Sequence, residues 1–140
     1  MIVIMVRDVM SRRLVTIGPE TSGDAARRLM DEHRIRHLPV VAEGRLVGMV
    51  SDRDVRSATA RPSGAVAGRI MTPNPVTVIS ETRIEHAARL MLDARFGALP
   101  VVDGHALVGI VTYTDLLRAF VQVIETATLE RIAVELPGAQ

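Results

Sequence analysis

Neither cysteine, lysine nor tryptophan occurs in the 140 residues of this chain. Without cysteine there are no disulfides, no thiolate chemistry and no cysteine-ligated zinc. Without lysine all 17 basic side chains are arginine, a usage that a GC-rich genome would also give. Every cation is then a forked donor of the kind that suits phosphate. Aromatic residues are scarce, with only Phe96, Tyr113 and Phe120 present. That scarcity excludes an aromatic platform for stacking single-stranded nucleic acid. A strong charge of either sign is also missing, the net charge being +1 from 17 basic and 16 acidic residues. Such a balance argues against a dedicated DNA-binding face. Long apolar runs are lacking too. Met1 to Met5 is interrupted at once by Arg7 and Asp8, too soon for a signal peptide or a membrane span. A cytoplasmic protein with no nucleic acid partner and no membrane span is the expectation.

What is present is a globular composition, 48% hydrophobic and 24% charged. The core must be built from Val, Leu, Ile, Ala and Met, and an internal repeat organises it. Shifted by 61 residues, segment 8–57 matches segment 69–118 at 19 of 50 positions without a gap. Met10 falls on Met71, Leu38-Pro39-Val40-Val41 on Leu99-Pro100-Val101-Val102, Leu46-Val47-Gly48 on Leu107-Val108-Gly109, and Asp54 on Asp115. Each copy reads the same way. An extended segment (Leu14–Ile17; Pro75–Ile79) precedes a helix, capped by Thr21 or Ser22 in the first copy and by Ser80 or Thr82 in the second. A strand follows (Leu38–Val41; Leu99–Val102), then a tight turn at Glu43-Gly44 and at Asp103-Gly104. A second strand (Leu46–Val50; Leu107–Val111) leads into a further helix.

The order β-α-β-β-α, twice, gives a mixed α/β (α+β) class with helices packed on small sheets. One unit of this size buries too little surface to stand alone. Two packed face to face share a core about a pseudo-two-fold axis. The organisation expected is repeat one at 7–58, a linker at 59–68 marked by Pro62, Ser63, Gly64 and Gly68, repeat two at 69–121, and a C-terminal extension and tail at 122–140. Leu116 to Ala133 reads as one long helix ended by Pro137-Gly138. Its wide apolar face makes it a candidate dimer surface.

Two segments carry the chemistry: Gly48-Met49-Val50-Ser51-Asp52-Arg53-Asp54 and Gly109-Ile110-Val111-Thr112-Tyr113-Thr114-Asp115. Both place a hydroxyl at a strand end and a carboxylate one turn into the next helix. On spacing alone this is a capping box that merely stabilises the helix start. The alternative is a ligand site, with the helix start facing an anion and the carboxylate accepting from a vicinal diol such as ribose.

Several motifs together make both copies resemble CBS domains, and the chain resembles a CBS pair, or Bateman module, over roughly residues 7 to 120. They are D-V-M-S and I-M-T-P at the openings, V-T-I and V-T-V next, R-I-R-H-L-P-V-V and R-F-G-A-L-P-V-V in the middle, and L-V-G-M-V-S-D-R-D and L-V-G-I-V-T-Y-T-D after them. The resemblance implies clefts between the repeats that hold AMP, ADP, ATP or S-adenosylmethionine as ligand, with no cofactor required. It makes Asp54 and Asp115 ribose ligands, with Ser51 and Thr112 on ribose or phosphate. It makes Thr16, Ile17, Thr77 and Val78 the strands whose backbone meets the adenine edge. Arg36 and His37 become phosphate contacts, and Arg53 joins them. Repeat two departs from the pattern, with Gly97 and Ala98 in the places of Arg36 and His37, and Tyr113 and Thr114 in those of Asp52 and Arg53. Unequal clefts are therefore expected, and the sequence leaves open which side chains share one.

Without the resemblance, Arg36, His37 and Arg53 read as solvated surface. His33 and His37 stand at i, i+4 spacing, but no further ligands accompany them and no metal site is expected. Met10, Met30, Met49, Met71 and Met91 read as core. No nucleophile is paired with a base, so no catalytic residue is assigned and an enzyme ranks last. The leading expectation is a non-enzymatic sensor that passes its ligand state to a partner protein not named by the sequence. Beside it stands a structural dimerisation module with empty clefts. The resemblance also suggests a homodimer, a disc of four repeats.

Overall fold

The β-branched runs on either side of Glu43-Gly44 form the first hairpin, β1 (His37–Ala42) against β2 (Arg45–Ser51), in the computed structural model, which describes residues 2–59 and 64–135. Glu43 and Gly44 both adopt positive φ, 52° and 75°, as a two-residue I′ turn requires. The second hairpin pairs β4 (Ala98–Asp103) with β5 (Ala106–Thr112). Its turn is Gly104-His105, one residue later than Asp103-Gly104, and only Gly104 has positive φ, at 61°. Asp103 instead ends the strand and accepts from the amide of Ser80 at 2.9 Å. Both hairpins break register after the same valine pair position, Val40/Val41 and Val101/Val102. The two expected opening strands shrink to single parallel bridges, Ile17 to Val40 and Val78 to Val101.

Helices cover these hairpins. α1 (Val6–Val9) opens the chain, and α2 (Gly23–His33) precedes the first hairpin. α3 (Asp52–Thr59) follows that hairpin directly. α4 (Ala67–Ile70) and the short β3 (Thr72–Pro73) lead into α5 (Ile84–Ala94), and α6 (Tyr113–Glu135) continues from β5. Ser22 caps α2 by accepting from the amide of Ala25 at 3.1 Å. α5 has Arg83 at its N-cap and no side-chain cap; the Thr82 hydroxyl accepts from Ile79 instead. The Ile84 amide is satisfied by the carbonyl of Ile4 from the chain's start.

That last bond belongs to an exchange. The Val6 and Arg7 amides donate to the Thr82 and Ser80 carbonyls, and the Ala67 and Gly68 amides donate to Thr21 and Pro19 in the same pattern. Each repeat's opening helix therefore docks on the other repeat. Val6 and Met10 lie in one core cluster with Val78, Ala87, Met91, Leu99 and Val111. Ala67 lies in the other with Ile17, Ala26, Met30, Leu38 and Val50, and Met71 packs against it. Both motif glycines exist because of this crossing. Any side chain on Gly48 would strike the Met71 side chain, and any on Gly109 would strike Met10 and the carbonyl of Ser11. The fully buried Leu38 and Leu99 anchor the two clusters, and truncating either to alanine would cost about 2–5 kcal/mol.

Pro62 and Ser63 of the expected linker, and the expected helix stop at Pro137-Gly138, lie outside the described residues. α6 starts three residues before the expected Leu116 and leaves Leu117, Phe120, Val121, Ile124, Leu129 and Ile132 exposed. No helix among the described residues is long and apolar enough to cross a membrane.

Candidate functional site

Where β2 meets β5, the two halves enclose a pair of clefts of unequal size. The larger, about 480 Å³, joins residues 13–15 and 34–37 of the first repeat to residues 110–118 of the second. The smaller, about 200 Å³, joins residues 49–54 of the first repeat to 75–76 and 95–98 of the second. Small-molecule sites run from roughly 300 to 1,000 Å³, so only the larger cleft is of that size.

Each cleft is therefore assembled reciprocally, the helix start of one repeat facing the helix exit of the other. Arg36 and His37 share the larger cleft with Thr112 and Asp115. Ser51, Arg53 and Asp54 line the smaller one, opposite Gly97 and Ala98. Thus Arg53 does not join Arg36, and His37 and Gly97 are the two residues that line both clefts. Leu14 and Val15 line the larger cleft, and Pro75 and Val76 the smaller. Thr16 and Thr77 follow one residue later and are exposed, while Ile17 and Val78 are buried in the two cores. The Ile17 amide donates to Pro39 and its carbonyl accepts from Val41. Val78 does the same with Pro100 and Val102. Strand geometry turns the backbone groups of Thr16 and Thr77 the other way.

Both helix starts are complete capping boxes. Ser51 N donates to Asp54 Oδ2 at 2.8 Å, and Asp54 N donates to Ser51 Oγ at 3.1 Å. Thr112 N donates to Asp115 Oδ2 at 2.9 Å, Asp115 N donates back to Thr112 Oγ1 at 3.3 Å, and the Thr112 hydroxyl also donates to Oδ2 at 3.1 Å. Every cap bond to Asp115 thus uses the same carboxylate oxygen. Capping fixes where each carboxylate stands at the cleft wall, so the capping and ligand-site readings are compatible.

Electrostatically the larger cleft is basic. Arg13, Arg34, Arg36 and Arg118 line it with His37, and Asp115 is its single carboxylate. Burial is the main reason that the His37 imidazole titrates below its ordinary 6.5, with Arg36 adding to the shift and Asp54 and Asp52 opposing it. Arg13, Arg34 and Arg118 escaped sequence reasoning, as did Arg95 in the smaller cleft. Two signals could have found them. Arg118 lies three residues after Asp115 and hence on the same helix face. Arg34 and Arg95 coincide under the 61-residue shift and both end their helices at positive φ, 54° and 58°, where glycine is usual. Among the described residues no three His, Asp or Glu converge as a metal site would need.

Known proteins place this geometry. The family description that matches is "CBS domain", over residues 6–61 and 67–122. A CBS domain-containing protein of Dictyostelium discoideum is 35% identical over 137 residues, covering 87% of this chain and 94% of that protein. Among curated relatives the chain spans from 22% to 94% of the relative's length. The crystal structure of CBSX2 in complex with AMP superposes with a TM-score of 0.77 at 38% identity, covering 85% of this chain and 97% of that one. The CBS domain pair of protein MJ0100, in complex with 5′-methylthioadenosine and S-adenosyl-L-methionine, gives 0.80 at 33% identity over 84% and 96%.

Proposed function

This chain belongs to the CBS domain family, with two copies of the domain in tandem, and we propose that it is a regulatory module without catalytic chemistry of its own. Its ligand is an adenine nucleotide or another adenosyl molecule, AMP, ADP, ATP or S-adenosylmethionine, held between the repeats. The observation that carries this reading is the reciprocal larger cleft, in which Arg36 and His37 of one repeat face Thr112 and Asp115 of the other. In it Asp115 accepts from the ribose diol, Thr112 contacts ribose or phosphate, and the guanidinium of Arg36 grips phosphate. The adenine edge runs along the extended segment at Leu14 and Val15 as far as Thr16, since the amide and carbonyl of Ile17 are taken by β1. The smaller cleft, with Ser51, Arg53, Asp54 and the segment from Pro75 and Val76 as far as Thr77, is the weaker counterpart.

Binding alone regulates nothing; a ligand shifts an equilibrium only by its different affinity for two states. The state is read by a partner protein. A second copy of this chain is the proposed first partner, in a four-repeat homodimer. The exposed Leu117, Phe120, Val121 and Ile124 of α6 favour that association. The same face favours the second reading, a dimerisation module whose clefts stay empty.

Thermal stabilisation by AMP, ADP, ATP and S-adenosylmethionine separates the two. A ligand at 100 times its dissociation constant adds about 2.7 kcal/mol. A shift with any of them that Asp115→Ala removes supports the sensor. No shift with any of them leaves the dimerisation module.

A further inference from the structure

The charge lining the larger cleft exceeds what an adenosine monophosphate would neutralise. Arg13 enters from the extended segment, Arg34 and Arg36 from the exit of α2, and Arg118 from α6. None of these four has an acidic partner among the described residues, in contrast to Arg7, which pairs with Glu81, and Arg56, which pairs with Asp52. The lone carboxylate of the lining, Asp115, is engaged with Thr112. Four arginines from three separate elements line about 480 Å³ with one carboxylate among them, which leaves the cleft with a surplus of positive charge. A cleft of this kind is relieved by a ligand carrying several negative charges. The smaller cleft differs in number, with Arg53 and Arg95 against Asp54.

We propose that the larger cleft selects adenosine di- and triphosphate over adenosine monophosphate, and rejects S-adenosylmethionine. The inference rests on the adenosyl-ligand reading and adds the charge class of the ligand. The adenosine part is held alike in every case, by Asp115 and the apolar Leu14, Val15 and Ile110. Discrimination arises beyond the ribose. Each added phosphate brings acceptor oxygens within reach of Arg13, Arg34 or Arg118. S-adenosylmethionine brings a sulfonium and an ammonium against a single carboxylate, a net positive charge, to the same place.

Titration calorimetry at low and moderate salt, without added magnesium, tests this with ATP, ADP, AMP and S-adenosylmethionine. Affinity should fall in that order, and the preference of ATP over AMP should shrink as salt rises. Arg13→Gln and Arg118→Gln should each reduce the ATP-to-AMP affinity ratio about three- to tenfold, the loss for ATP exceeding any loss for AMP. Arg45→Gln, an equal loss of charge at the start of β2 outside both clefts, should leave the ratio as in wild type. Circular dichroism of each variant establishes that it is folded. AMP or S-adenosylmethionine binding as tightly as ATP overturns the charge selection while the adenosyl reading stands. A ratio lowered equally by Arg45→Gln assigns the preference to net charge and also overturns it. Absence of binding by all four overturns the reading beneath it.

Discussion

The His37 ring fills the space that a side chain at residue 97 would need: a methyl group on Gly97 would lie 3.3 Å from both Cε1 and Nε2 of that imidazole. Tyr113 is the next neighbour, its Cε2 3.6 Å from the same methyl position. The two halves of the duplicated chain are thus fitted to each other through one pair of unlike residues. Repeat two has glycine where repeat one has Arg36 because the histidine of repeat one occupies the place. Gly97→Arg restores the sequence symmetry and should expel the ring. The expected cost is about 1–3 kcal/mol in urea denaturation, the range for overpacking a filled site. An unchanged midpoint would show that the ring moves aside freely.

His37 also gives stability a pH dependence. Burial favours its neutral form, so the unfolded chain takes up the proton first. The contribution is present above pH 6.5 and is lost as pH falls from 6.5 through the lowered folded value. Urea midpoints of wild type and His37→Gln should therefore converge as pH drops from 7.5 to 5.5. A difference that stays constant over that range would contradict the shift. An anionic ligand in the larger cleft opposes it, so binding near pH 6 should be accompanied by proton uptake.

The crossing of the two openings predicts an order of damage. At Gly109 a methyl group would lie 2.9 Å from the carbonyl oxygen of Ser11, a backbone atom that cannot swing aside. At Gly48 the nearest atoms all belong to the flexible side chain of Met71. Gly109→Ala should cost about 1–3 kcal/mol and Gly48→Ala less. Thermal denaturation of both variants measures this, and the reverse order would contradict the account.

Loss of a capping partner should lower stability even without ligand. Ser51→Ala and Thr112→Val each remove a hydroxyl that accepts from the amide three residues on, at an expected cost of about 1 kcal/mol. Chemical denaturation of the ligand-free proteins gives the value. A ligand-free cost near zero would mean that the hydroxyls serve only a ligand.

The α6 face should govern association. Leu117→Glu combined with Phe120→Glu places two charges on exposed apolar positions. Sedimentation should show the wild type as a dimer and the double variant as a monomer of unchanged helix content. A wild-type monomer would remove the homodimer from the proposal.

Much of this was readable before the fold was known, for physical reasons that can be named. The 61-residue shift carried Leu38, Leu99 and their hairpins because strand alternation and turn chemistry are local. The capping pairs Ser51 with Asp54, and Thr112 with Asp115, were visible because their spacing is one helical turn. The exchange of α1 and α4 was not visible. Met10 and Met71 fit a core equally well whether they pack on their own repeat or on the other, and apolar periodicity carries no address. For the same reason the partition of Arg36 and Arg53 between two clefts stayed open. Arg118 is not legible as a cleft residue because a charged residue on a long helix reads as solvated surface. The β-strand expected at Leu14–Ile17 reduced to one bridge because only Ile17 reaches β1.

The most direct test is amide chemical-shift mapping of the folded protein on adding ATP, with AMP in parallel. The account predicts perturbations concentrated at residues 13–15, 34–37 and 110–118, with those around Asp54 smaller. Perturbations confined to the outer face of α6, or centred on residues 49–54 and 95–98 with the larger cleft silent, would contradict it.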